Sequence, residues 1–121
     1  MINYEVSLSI QKEIFEEYYA WLVDHIEVIL KIDGFQKVTL YRVQDVNDDD
    51  NEHIVASYLL TSREKFDHYL ENYAKELRND GVKRFGEKCV ATRKILEIDK
   101  IFDKKISLDN VLNPTPGYFA L

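Results

Sequence analysis

Cysteine occurs once in this chain of 121 residues, at Cys89, and a lone thiol makes no intramolecular disulfide. Nothing here calls for an oxidising compartment. No apolar run approaches the roughly 18 residues of a membrane-spanning helix, and the start, Met1-Ile-Asn-Tyr-Glu5, lacks the basic-then-apolar order of a secretory signal. A cytoplasmic protein with no membrane partner is the expectation. Positive charge is the scarcer sign: 16 Lys and Arg stand against 22 Asp and Glu, for a net charge of −6. Nucleic-acid affinity rests on Lys and Arg neutralising phosphates, so a DNA or RNA partner is disfavoured. Only four Gly and two Pro are present, which excludes fibrous and low-complexity classes. A chain of this length has room for one core without disulfides or a structural metal.

What is present is periodicity. His53-Ile-Val-Ala-Ser-Tyr-Leu-Leu60 is rich in β-branched and aromatic residues and reads as a buried, central strand. Thr61 with Glu64 three residues on has the form of a capping box, which starts a helix. In that helix, expected from Ser62 to about Asn79, Phe66, Tyr69, Leu70, Tyr73, Ala74 and Leu77 form one stripe on a 3.6-residue period.

Taken from the start, Ile2, Tyr4, Val6, Leu8 and Ile10 alternate with polar residues, as a half-buried strand requires. From about Gln11 the spacing lengthens: Ile14, Phe15, Tyr18, Leu22, His25, Ile26 and Ile29 predict a helix to about Lys31, stopped at Asp33-Gly34. Phe35 to Val43 reads as a strand, with Val38, Leu40 and Arg42 on one side and Lys37, Thr39, Tyr41 and Val43 on the other. The acidic segment from Asp45 to Glu52 suits a hairpin loop. The second helix is expected to stop at Asn79-Asp80-Gly81, and Lys88 to Ile98 alternates as a fourth strand. The order β-α-β-β-α-β predicts a ferredoxin-like α+β domain over residues 1–98, a four-stranded antiparallel sheet with two helices on one face. Residues 99–121 break the pattern, and their apolar residues, among them Ile101, Phe102 and Ile106, predict a tail partly docked on the domain or a partner subunit.

Candidate chemistry is sparse. The acidic loop fits calcium-ligand spacing at Asp45, Asn47 and Asp49, but Asp50 stands where a Gly is needed and Ala56 where a bidentate Glu is needed. His25, His53 and His68 have no metal-ligand spacing, so neither a metal nor a cofactor is called for. His25 stands on an apolar helix stripe, where it is either a satisfied structural ring or a proton-transfer group. Cys89, with no CxxC partner, reads as a packing residue. Glu5, Ser7, His53, Ser57, Arg42 and Arg93 supply polar groups among Val55, Leu59 and Ile95, the mixture of a cleft lining or a dimer interface. Which of these share a face depends on strand register. The strand from Glu52 lacks the aromatic run of RNA-recognition domains, and Ser7-Leu-Ser-Ile-Gln-Lys12 is no acylphosphatase phosphate loop.

Together, Ile2-Asn-Tyr-Glu-Val6, Trp21 with His25-Ile26, Gly34-Phe35, Tyr58, Tyr69-Leu-Glu71, Leu77-Arg78, Arg84-Phe-Gly-Glu-Lys88, Arg93 and Leu96-Glu97 resemble a bacterial domain-of-unknown-function family similar to the dimeric α+β barrel group. The resemblance spans about Met1 to Ile98. Where the family tends to have Pro after the His-Ile pair, this chain has Glu27. The resemblance implies the fold and a homodimer and supplies no activity, although the broader group includes cofactor-free monooxygenases and haem-handling enzymes. Two functions of different class are expected from it and from the residues. One is a homodimeric small-molecule-binding protein, a candidate cofactor-free enzyme, taking a small anionic or aromatic ligand with Arg42, His53, Tyr58 and Arg93 at the site and His25 as the catalytic candidate. The other is a non-enzymatic protein–protein interaction module. Arg93, mid-strand, needs a carboxylate if buried, and Glu5 and Glu97 are the expected partners.

Overall fold

Alternation in the opening residues does what a half-buried strand requires: in β1 (Ile2–Gln11) every even residue from Ile2 to Ile10 is buried. The structure, a computed structural model, describes residues 1–104. β1 pairs antiparallel with β3 (Asn51–Leu60) on one side, from Ile2 opposite Leu60 to Gln11 opposite Asn51. On the other side it pairs with β4 (Cys89–Glu97), from Ile2 opposite Glu97 to Ile10 opposite Cys89. β2 (Phe35–Arg42) completes the sheet in the order β2-β3-β1-β4. Helix α1 (Phe15–Ile29) follows β1, and α2 (Arg63–Asn72) and α3 (Ala74–Phe85) follow β3. The fold is ferredoxin-like. One cluster holds the even residues of β1, Ile54, Ala56, Tyr58 and Leu60 of β3, the α1 stripe Tyr18, Leu22, Ile26 and Ile29, and Phe66, Tyr69, Ala74 and Phe85. All helices therefore cover one sheet face, and the other has no helix on it.

Several local expectations are corrected. The first helix begins at Phe15, after a short 3-10 turn over Lys12–Ile14. The cap of α2 is Ser62, whose Oγ accepts from the Lys65 backbone N–H at 3.2 Å, while the Thr61 N–H donates to the Gly34 carbonyl. With Lys65 in the third helical position no capping box can close. The second helix is two helices broken at Tyr73 (φ −131°, ψ −33°). At the break the Asn72 side-chain amide donates to the His68 carbonyl at 2.9 Å, the kind of local bond that competes with the helical ladder. Gly81 stops nothing: α3 runs through it to Phe85 and ends at Gly86, whose φ is 56°. Gly34 has the positive φ expected of it, 98°. β4 is one residue shorter at each end than its alternation suggested.

Residues opposed across antiparallel strands share a face, so register sorts the polar residues. Arg93 opposes Val6, and Ile95 opposes Tyr4, which puts both on the helix side with Arg42, opposite Ile54. Glu5, Ser7, His53, Val55, Ser57 and Leu59 lie on the open side, where Leu96 takes the place expected of Ile95. Beyond β4, Ile101 and Phe102 are 70% and 88% exposed. The rest of the expected docking tail, 105–121, lies outside the described residues. No helix among the described residues is long and apolar enough to cross a membrane.

Candidate functional site

The helix layer does not fill the sheet face. Between α1, α3 and strands β1, β3 and β4 it leaves a cleft of about 110 Å³. The sheet contributes Tyr4, Tyr58 and Ala91 to the walls, α1 contributes Tyr18, Trp21 and His25, α2 contributes Tyr69, and α3 contributes Arg78 and Gly81. Arg93 and Val82 are exposed lining residues and stand at the rim.

Alternation explains the sheet side. Tyr4 and Tyr58 oppose each other in register, with ring centroids 5.6 Å apart, and Tyr4 also lies 4.8 Å from Phe66 and 6.4 Å from Tyr69. Such tilted aromatic contacts add to area burial. The Tyr4 hydroxyl accepts from Arg78 Nη2 at 2.9 Å, which fixes one guanidinium against the floor.

The helix side depends on a close approach. A Cβ on Gly81 would lie 2.8 Å from Trp21 Cη2, so only glycine lets α3 come this near the indole. Trp21 Nε1 donates to Asp80 Oδ2 at 2.7 Å, and its ring stacks on His25 at 4.6 Å with an interplanar angle of 22°. Burial depresses the His25 pKa below the usual imidazole value, and Asp80 opposes that shift. At neutral pH His25 is a neutral ring facing the cleft. Burial pushes Tyr18, Tyr58 and Tyr69 above the usual phenol range, so all three are hydroxyl groups there. Burial likewise raises the Cys89 thiol, which lies against the Tyr18 hydroxyl. It is a packed thiol rather than a thiolate.

Of the residues singled out from the sequence, the structure brings His25, Tyr58 and Arg93 together and leaves two outside. Arg42 lies over the Phe15 ring, 4.7 Å from its centroid. His53 is on the open face, opposite Ser9, with Nε2 2.7 Å from Asp48 Oδ2. Asp48 also accepts from the backbone N–H groups of Asp50 and Asn51 at 3.0 and 3.2 Å, organising the acidic loop as a turn. Trp21, Tyr69, Arg78 and Gly81 were not named as site residues. A signal for Arg78 and Gly81 existed: they continue the apolar stripe four and seven residues beyond Ala74, where a guanidinium and a glycine are out of place.

The His53 contact, then the loop amides, hold the Asp48 carboxyl at a pKa of about 2, against an ordinary 3.8. A depressed carboxyl pKa contributes stability that is present above the unfolded value and lost as pH falls through the folded one. Asp48 is therefore expected to titrate near 2 by NMR and to move back toward 3.8 in His53→Ala. An unchanged Asp48 pKa in that variant would show that His53 does not hold it.

Residues 1–98 match the family described as a domain of unknown function, DUF4286. The chain belongs to that family. No curated protein matches the DUF4286 chain in sequence. Among solved structures it is similar to a proposed antibiotic biosynthesis monooxygenase from Deinococcus radiodurans, with a TM-score of 0.69 at 12% identity over 86% of this chain and 98% of that one. It is also similar to a dimeric ferredoxin-like protein from an uncultured marine organism, with a TM-score of 0.63 at 13% identity over 86% and 100%. A third is SnoaB, a cofactor-independent oxygenase from Streptomyces nogalater, with a TM-score of 0.57 at 15% identity over 85% and 97%. At such identities the likeness is one of fold.

Proposed function

We propose that this DUF4286 protein is a homodimeric small-molecule-binding protein whose ligand occupies the cleft between α1, α3 and the sheet. The observation that carries the reading is the cleft itself: about 110 Å³, walled by aromatic rings, with a neutral His25 and two arginines among them. An apolar pocket with a few convergent polar groups is the usual form of a small-molecule site. A neutral imidazole can accept a proton, which supports His25 as the proposed general base of a cofactor-free reaction. Having a cofactor-independent oxygenase among its structural neighbours supports that class of chemistry at the level of fold.

The dimer rests on the open sheet face. Val55 and Leu59 are half-buried there, and Leu96 and Val90 are 39% and 59% exposed. With Tyr41, itself 54% exposed, they form an apolar surface that two copies can hide face to face, as a two-fold assembly does most simply. A filled sheet face would favour the interaction-module reading instead, and the helix side of the sheet holds a cleft.

Light scattering at micromolar concentration is expected to return twice the 14.3 kDa chain mass. A thermal-shift screen of small metabolites is expected to give hits that vanish in Ala91→Phe, which projects a ring into the cleft from opposite Leu8, while the dimer mass is unchanged. Hits that persist in this variant would place the ligand elsewhere.

A further inference from the structure

The chain has five arginines, and the structure treats them differently. Arg63 and Arg84 pair with Asp67 and Asp80 one helical turn away, and Arg42 lies over an aromatic ring. Arg78 and Arg93 face the cleft, and among the described residues neither has a carboxylate within salt-bridge distance. We propose that Arg78 and Arg93 form a two-sided anion clamp on this cleft, and that the ligand is an aromatic carboxylate of about one ring. The proposal rests on the small-molecule reading above and names its ligand class.

Register removes the acids that could have neutralised Arg93. Glu5 opposes Lys94 and therefore lies on the open face. Glu97 shares the face of Arg93 but lies four residues on, about 13 Å along the strand. Arg78 spends one donor on the Tyr4 hydroxyl, and a guanidinium has five. Arg78 lines the cleft from α3 and Arg93 from β4 at its rim, so the two groups reach the same cleft from different layers of the fold. Arg93, exposed at the rim, and Arg78, half-buried, each keep guanidinium donors free for an anion that enters the cleft. A planar carboxylate matches the guanidinium fork. The remaining walls, Tyr4, Tyr58 and Trp21, offer aromatic faces. The volume, about 110 Å³, limits the ligand to no more than one ring, since an enclosed apolar cavity on the order of 150 Å³ takes one benzene, and any further group must project through the open rim.

The test is titration calorimetry of the full chain with benzoate, benzamide and acetate. Benzoate is expected to bind at least tenfold more tightly than either of the others, since benzamide keeps the ring and loses the charge and acetate does the reverse. Arg78→Met and Arg93→Met are each expected to weaken benzoate by about tenfold to a hundredfold, with Arg42→Met unchanged. Arg93→Lys keeps the charge without the fork and is expected to fall between, and thermal unfolding without ligand separates lost binding from lost fold. Equal affinity for benzoate and benzamide, or full benzoate affinity in both methionine variants, would overturn the clamp and leave the cleft reading standing. Acetate binding as well as benzoate would overturn the aromatic assignment. No heat from either ring compound, with no hit in the metabolite screen, would overturn clamp and cleft reading together.

Discussion

Phe66→Ala is expected to lower folding stability by about 3–5 kcal/mol, read as a reduced urea midpoint with an unchanged slope. Phe66 is 1% exposed, with its ring 4.8 Å from Tyr4 and 6.1 Å from Tyr69, and Arg63 lies over its face at 5.7 Å. Removing the ring takes away a buried apolar side chain and leaves a void that the sheet cannot collapse into. Against a total of roughly 5–15 kcal/mol for a domain, the loss is a large fraction. The cleft should suffer with it, because Tyr4 and Tyr69 lose the ring they pack on and Arg78 is anchored on Tyr4. Phe66→Leu keeps most of the volume and is expected to cost less than half as much. A loss below about 1 kcal/mol in the alanine variant would be too small for a core ring, and would mean that α2 does not pack on the sheet through Phe66.

Gly81→Leu sets two effects against each other. Leaving glycine in a helix interior costs about 1 kcal/mol relative to alanine, so a leucine at 81 gains helix propensity. The same side chain meets Trp21, 2.8 Å from where its Cβ must go, and the indole is tethered by Asp80 and stacked on His25. Overpacking of this kind costs about 1–3 kcal/mol, and a leucine carries three carbons beyond the colliding one. The clash is expected to win, with net destabilisation. Trp21 is the single tryptophan, so its fluorescence reports the site without ambiguity. The emission is expected to shift to the red as the ring is pushed toward water, and benzoate binding to weaken because Trp21 walls the cleft. A variant more stable than the parent, with unchanged emission, would show that α3 can move aside.

Phe66 lies where local sequence pattern and tertiary contact agree, and Gly81 where they diverge. The alternation from Ile2 to Ile10 and the stripe Tyr18, Leu22, Ile26 and Ile29 identified strand, helix and buried face correctly, because each is a local consequence of backbone period. Errors came where a distant residue decides a local event. Gly81 has the form of a helix stop, yet it is a packing site for a tryptophan 60 positions earlier in the chain. Thr61 has the form of a capping residue, yet its N–H is taken by the Gly34 carbonyl and the cap moves to Ser62.

By itself, then, the sequence determined the order of elements, the apolar side of each and the ferredoxin-like class, since those follow from spacing along one chain. Only the tertiary structure decided which charged residues meet. Register joins strands tens of residues apart, and a slip of one residue exchanges the faces of every side chain. That is why Arg42, His53, Tyr58 and Arg93, equivalent as letters, part company: one on a phenylalanine, one in a loop network, two in the cleft. Arg78 joins Arg93 there because α3 brings it to the Tyr4 hydroxyl of β1, the strand beside β4, a relation that no local period can encode.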